Sequence, residues 1–253
     1  MNIFGISDIG SMRKLNQDNY YTKMLTDKIA LGVVCDGMGG ANGGCEASAI
    51  AIFEFSSFMK ETLIQMTNSE GKLENMNDAR MRRLMNQALN RANEAVYTKS
   101  KQDEELSGMG TTLVCSVTTP DRIYVMNVGD SRMYSIYENK MTRITKDHSF
   151  VQYLLDNGMI EPKEAETHPN RNIITRAIGT HENVEGDFFV IEKDCDSVLL
   201  CSDGLTNYVE EKEICRIVSS PDMNNENKVK LLVDTANKNG GGDNITVILT
   251  SFQ

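Results

Sequence analysis

Apolar and polar positions change period several times along the chain. Short runs at Asn2–Asp8, Asn19–Leu25 and Ile29–Cys35 predict strands. The Gly-rich segment GMGGANGG (Gly37–Gly44) follows the third run. Apolar residues then recur at helical spacing: Ile52, Phe55, Met59, Leu63 and Met66, and, after a polar stretch (Thr67–Asn77), Met81, Met85, Ala88, Ala92 and Val96. Asn77 and Asp78 suit the cap of the second helix. A single apolar face on each helix predicts that both cover a sheet, with the Met and Phe residues as core.

From Gly110 the period returns to two. Thr112–Thr118, Arg122–Val128 and Met133–Tyr137 predict strands, punctuated by Thr119-Pro120-Asp121 and Gly129-Asp130. Successive strands with short turns predict an antiparallel meander, because parallel pairs need long crossovers. Residues 147–186 are more polar, hold a short helix (Phe150–Asn157, ended by Gly158) and the irregular run HPNRNIITRAIG, and read as an insertion. Strands at Asp187–Glu192 and Asp196–Ser202, helices at Val209–Val218 and Glu226–Lys238, and a strand at Ile245–Thr250 complete the pattern. Strands at both ends and helices in adjacent pairs predict an α+β fold of two antiparallel sheets with helices outside.

Composition narrows the chemistry. A chain of 253 residues buries enough surface to fold without disulfide or zinc staples, as one large domain or two small ones. Its 26 basic against 36 acidic residues leave a net charge of −10, which argues against nucleic-acid or anionic-membrane binding and favours a cation site. No apolar run approaches the ~20 residues that span a bilayer, and the N-terminus lacks the basic-then-apolar order of a signal peptide. The six cysteines form no CxxC pair, and Cys35, Cys115 and Cys201 sit in apolar runs as small core residues, which suits reduced cytoplasm. With only three histidines, a metal here is expected on oxygen ligands.

The aspartates fall where that expectation needs them. IALGVVC runs into Asp36-Gly37, IYVMNVG into Asp130, VLLCS into Asp203-Gly204, and Asp243 immediately precedes ITVILT. Antiparallel strands can bring such ends to one sheet edge, where the gathered carboxylates would repel unless protonated or bridged by a cation such as Mg²⁺, Mn²⁺ or Ca²⁺. Asp-Gly is also a hairpin signal. Here, however, helix-like sequence follows both Asp36-Gly37 and Asp203-Gly204. GMGGANGG has Asn42 in the last glycine slot of a dinucleotide fingerprint, and no Walker GK[ST] occurs. No G-x-S-x-G marks a serine nucleophile, and His148, His168 and His181 all fall in the polar insertion, where solvated loop positions are expected.

Taken in order, SDIGSMRKLNQDNY, VVCDGMGG, GTTL, NVGDSRMY, TKDHS, NIITRAIG, LLCSDGL and GGGDNITVIL span Ser7 to Leu249. On these motifs the chain resembles the metal-dependent serine/threonine protein phosphatases of type 2C, in particular their compact bacterial members. The resemblance implies a four-layer α/β/β/α sandwich forming a single phosphatase domain over residues 1–253, with residues 148–186 as a flap beside the active site. It implies two Mn²⁺ or Mg²⁺ ions, with Asp36 bridging them, the Gly37 carbonyl on the second, and Asp203 and Asp243 completing the first. Asp130, with Asp203, matches the holder of a weaker third ion. Asp18 matches the acid that orients metal-bound water, Arg13 the arginine that fixes the substrate phosphate, and Asn244 a support for the ligand loop.

Two positions depart from the family pattern. Gln17 stands where some members carry a Glu toward the second metal, and Met38 where eukaryotic members have a histidine proposed as general acid. The implied reaction is direct attack on phosphoserine or phosphothreonine by a water shared between two ions. Phosphorylated proteins and a cognate serine/threonine kinase are the implied partners of a cytoplasmic monomer. Two other readings use the same fold: a silent phosphoprotein-binding module, and a phosphatase dedicated to one partner-switching pathway.

Overall fold

Alternate residues of each inner strand face opposite ways, and this builds the molecule in layers. The computed structural model describes residues 1–40 and 42–252, and of Glu166 only the backbone. Ala41, within the Gly-rich segment, therefore lies outside the described residues. One sheet runs β2 (Asp18–Met24), β3 (Ala30–Met38), β5 (Leu113–Thr118), β6 (Arg122–Val128) and β9 (Asp187–Glu192), with the two-residue β4 (Gly110–Thr111) on the end of β3. The other runs β1 (Asn2–Asp8), β11 (Ile245–Ser251), β10 (Ser197–Cys201), β7 (Arg132–Tyr137) and β8 (Lys140–Arg143). Every neighbouring pair is antiparallel.

Between the sheets pack Val34, Val114, Ile123 and Val125 from one side and Met133, Val198, Leu200 and Ile248 from the other. The opposite faces of the same strands, such as Leu31, Val33 and Cys35, meet α1 (Gly43–Gln65) and α2 (Asp78–Gln102). Leu199, Cys201, Val247 and Leu249 meet α6 (Glu211–Val218) and α7 (Asn225–Lys238). The result is the expected α/β/β/α sandwich. Phe55, Met59, Leu63 and all five predicted apolar positions of α2 are fully buried, and the Asn77 side chain accepts the Arg80 N–H as a cap.

Three features differ from expectation. β6 and β7 do not continue one meander. At Gly129, whose φ is +104°, the chain leaves the first sheet and enters the second, so Gly129-Asp130 is a crossover rather than a hairpin turn. Both strands are equally apolar, and nothing local distinguishes partner sheets. β8 follows a two-residue turn at Glu138-Asn139, both at positive φ, that the charged sequence obscures. A short helix also forms at α4 (Pro162–Thr167), opened by Glu161 and Glu164 in a capping box, while the helix-like sequence at Asp203-Gly204 gives the single turn α5 (Asp203–Thr206). The predicted helix after Ser149 is present as α3 (Phe150–Asp156). Residues 148–175 close on themselves at their base, where Ser149 bridges Ile174 and Thr175 N–H donates to the His148 carbonyl.

Among the described residues no helix is long and apolar enough to cross a membrane, and all six cysteines are free thiols.

Candidate active site

β2 and β3 pair in a register that sets Asp18 directly opposite Asp36. Like charges across an antiparallel pair destabilise it, so this register needs a compensating proton or cation. The end of β3 is held in spite of that cost. Thr112 Oγ1 accepts the Asp36 N–H at 2.9 Å, and Thr112 N–H and Thr111 Oγ1 both donate to the Asp36 carbonyl at 2.9 Å. Thr112 Oγ1 also contacts Ser131 Oγ at 2.8 Å, which ties the crossover to the same strand end. Gly37 is packed so closely that a Cβ would lie 2.0 Å from the Gly44 carbonyl oxygen, and its N–H donates to the Gln17 carbonyl. The glycine lets the first turn of α1 lie against the strand that carries Asp36.

The second sheet adds its acids from β10 and β11. Asp203 opens α5, where Asn207 Nδ2 donates to its Oδ2 at 3.0 Å. Ser202, one residue earlier, donates to Asp18 Oδ2 at 2.7 Å and accepts the Thr246 N–H at 2.9 Å, joining the sheets at the acids. Asp130, on the crossover, is nearly inaccessible. Its neighbour Gly129 is gripped from both sides by His148: Gly129 N–H donates to Nδ1 at 3.0 Å, and the His148 N–H donates to the Gly129 carbonyl at 2.9 Å. His148 is therefore a buried positioning group, not a solvated loop residue. Its Nε2 lies 3.2 Å from Asp187 Oδ2 on β9. His168 and His181 do lie in the polar insertion, half-buried and exposed respectively.

The five aspartates act on one another. Burial drives Asp36 well above the usual carboxylate range, and the charges of Asp18, Asp203, Asp130 and Asp243 push the same way. Burial also raises Asp130, with Asp203 and Asp147 adding to it, and Asp203, with Asp243 adding. Asp18 is pushed up to about 7 by burial, against the opposing hydrogen bond from Ser202. One oxygen each of Asp18, Asp130 and Asp203 is buried with no hydrogen-bond donor. Such orphaned carboxylate oxygens call for a proton or a cation. Hard carboxylate oxygens of this kind suit Mg²⁺ or Mn²⁺.

Among the described residues no three acidic, His or Cys side chains are drawn together closely enough to hold a metal ion as they stand. Asp243 is paired with a cation: Arg13 Nη2 donates to its Oδ2 at 2.9 Å, while Arg13 Nε donates to the Gly242 carbonyl at 3.2 Å. Asn244 fixes this loop, its Nδ2 donating to the Ile9 and Leu15 carbonyls at 2.8 and 3.0 Å and its Oδ1 accepting the Gln17 N–H at 2.8 Å. Gln17 Nε2 donates to the Gly40 carbonyl at 3.3 Å. A cavity of about 660 Å³ opens beside Asp130 and Asp203, walled by Val151, Gln152 and Leu155 of α3 and by Tyr208 and Glu210 before α6. Two cavities of about 730 and 770 Å³ lie away from these acids.

Nothing in the residues alone marks Thr111, Thr112, Ser131 or Ser202, and the polar surroundings of His148 in the sequence disguise its buried role. Their signal lay in the GTTL, GDS, LLCSDGL and TKDHS motifs, which name the positions but not the bonds.

The family model for Protein phosphatase 2C matches residues 11–235. The chain belongs to the protein phosphatase 2C family. It is 37% identical over 244 residues to the serine/threonine phosphatase stp of Listeria innocua, spanning 96% of this chain and 92% of that protein. The crystal structure of the serine/threonine phosphatase Stp1 from Staphylococcus aureus superposes with a TM-score of 0.88 at 33% identity, covering 99% of this chain and 94% of that one. The catalytic domain of the serine/threonine protein phosphatase PstP, in complex with two manganese ions, gives a TM-score of 0.81 at 30% identity, with 99% and 97% covered.

Proposed function

We propose that this chain is a metal-dependent protein serine/threonine phosphatase, folded as one domain over residues 1–253 with residues 148–186 as its flap. The observation that carries this reading is the buried, mutually repelling carboxylate cluster with orphaned oxygens, in a chain of this family. Asp36, the Gly37 carbonyl, Asp203 and Asp243 would hold two divalent ions, and Asp130 with Asp203 a weaker third. When bound, such ions neutralise the acids, polarise phosphoryl oxygens and lower the pKa of water.

The chain's own residues supply position and charge. Asp18, fixed by Ser202, presents a buried oxygen that can orient an attacking water or accept its proton. Arg13, anchored on the Gly242 carbonyl with about half its side chain open to solvent, offers a guanidinium fork to the phosphate. That role requires Arg13 to exchange Asp243 for the substrate once Asp243 is engaged elsewhere. Met38 has no proton to give, so the leaving alkoxide takes its proton from water.

Phosphorylated proteins are the substrates, made by a cognate serine/threonine kinase, and the enzyme works as a cytoplasmic monomer. Free cysteines throughout the described residues support the reducing setting. An intact set of acids favours turnover over silent binding. The test is hydrolysis of p-nitrophenyl phosphate: chelation by EDTA should abolish it, Mn²⁺ should restore it, and Asp36→Asn should lower it at least a thousandfold without unfolding the protein. Activity that survives both chelation and Asp36→Asn would sink the proposal.

A further inference from the structure

The loop that carries Arg13 is built as a rigid unit. One side chain, Asn244, takes the carbonyls of both Ile9 and Leu15, so the ends of the seven-residue segment are drawn together. Inside it, the Ser11 and Met12 N–H groups donate to the Gly241 carbonyl at 2.8 and 3.1 Å, and Gly10 N–H donates to Asp8 Oδ1 at 2.8 Å. A loop held this way does not expose side chains through slackness. Yet it presents Ile9 at 39%, Met12 at 74% and Leu15 at 47% exposure. Of the nine large apolar side chains exposed among the described residues, three stand within these seven positions, where water does not favour them.

We infer that this collar is a substrate-recognition surface that takes apolar side chains flanking the phosphorylated residue. The inference rests on the phosphatase reading and names the substrate class of that site. Its argument is continuity. Met12 adjoins the arginine assigned to the phosphate, and Asn244, which closes the loop, adjoins Asp243. A peptide whose phosphate lies at Arg13 has its next residues only ~3.3–3.6 Å further along per position. Its flanking residues therefore fall within reach of this loop. Apolar side chains on a preorganised backbone gain affinity from burial with no further cost of ordering the loop itself.

The test compares two phosphothreonine peptides, one with Leu on either side of the phosphoresidue and one with Ser there, against wild type, Met12→Ser and the double variant Met12→Ser/Leu15→Ser. p-Nitrophenyl phosphate, which has no flanking residues, serves as control. Wild type should prefer the Leu peptide by about tenfold in kcat/KM, mostly through KM, a size set by partial burial of one or two side chains. Met12→Ser should reduce the preference and the double variant should erase it, with p-nitrophenyl phosphate turnover unchanged. Equal use of the two peptides by wild type, or a preference that survives the double variant, overturns the inference while leaving the phosphatase reading intact. If Met12→Ser also slows p-nitrophenyl phosphate, the side chain serves to place Arg13 and the inference fails. It fails equally if light scattering shows that Met12→Ser converts a dimer to a monomer, since a second copy would then be the occupant. Loss of all turnover in wild type strikes the phosphatase reading instead.

Discussion

Asp18 and Asp36 face each other across two strands, in a register held by the hydrogen bonds around them and relieved by a proton or a cation. Their raised pKa values have a thermodynamic consequence. A carboxyl that is protonated up to about pH 7 in the folded chain, as Asp18 is, but only to about 3.8 when unfolded, stabilises the fold fully below the lower value. The contribution is lost as pH rises through the higher one. In EDTA the thermal midpoint should therefore fall between about pH 4 and 7, more steeply in wild type than in Asp18→Asn. Mn²⁺ should raise the midpoint more at pH 8 than at pH 5.5, because the ion competes with protons for the same oxygens. A midpoint profile identical in wild type and Asp18→Asn would show that this carboxyl is not strained. The identities of the acids were readable from the sequence because each adjoins a strongly apolar strand. The pairing of Asp243 with Arg13 was not, since it depends on how the 240–244 loop folds back on residues 9–15.

Among the secondary-structure elements, the places where they touch set the site. A Cβ at Gly204 would lie 1.9 Å from the Asn244 carbonyl oxygen, so the first turn of α5 and the lead into β11 meet backbone to backbone. Gly204→Ala must push the Asp203 and Asp243 loops apart and should cost roughly 3 kcal/mol of stability. It should weaken Mn²⁺ binding as well. Gly32→Ala, whose Cβ would find only ordinary contacts at 3.5 Å, should cost less than about 1 kcal/mol and spare Mn²⁺ binding. Urea unfolding and calorimetric titration would separate the two variants, and equal effects would contradict the geometry. Long periodic elements such as α2 were legible because 25 residues repeat one pattern. The transfer from β6 to β7 was not, because hydrophobic alternation states that a strand is buried without stating which sheet it joins. β8 and α4 are short and charged and owe their form to tight turns and a capping box.

Across the whole molecule, a net charge of −10 surrounds a site that must attract a phosphate dianion. Electrostatic attraction to the site acts locally, whereas the surface field repels acidic substrates over about a Debye length, ~10 Å at 0.1 M salt. With Mn²⁺ saturating, raising the ionic strength should increase kcat/KM for an acidic phosphopeptide and decrease it for a basic one. The same response for both peptides would mean that the field does not steer substrate. The layered fold itself was legible at this scale, because adjacent helix pairs and inner strands with two apolar faces admit few other arrangements.

The Ser202–Asp18 hydrogen bond spans the seam between the sheets. One sheet brings Asp18 and Asp36, the other leads into Asp203 and follows from Asp243, and Asp130 sits on the span that joins them. Neither half of the sandwich is thus a smaller enzyme. A fragment that folded on its own would inherit a hydrophobic scar and an incomplete set of acids, so under the proposed function catalysis arises with assembly of the two layers rather than preceding it.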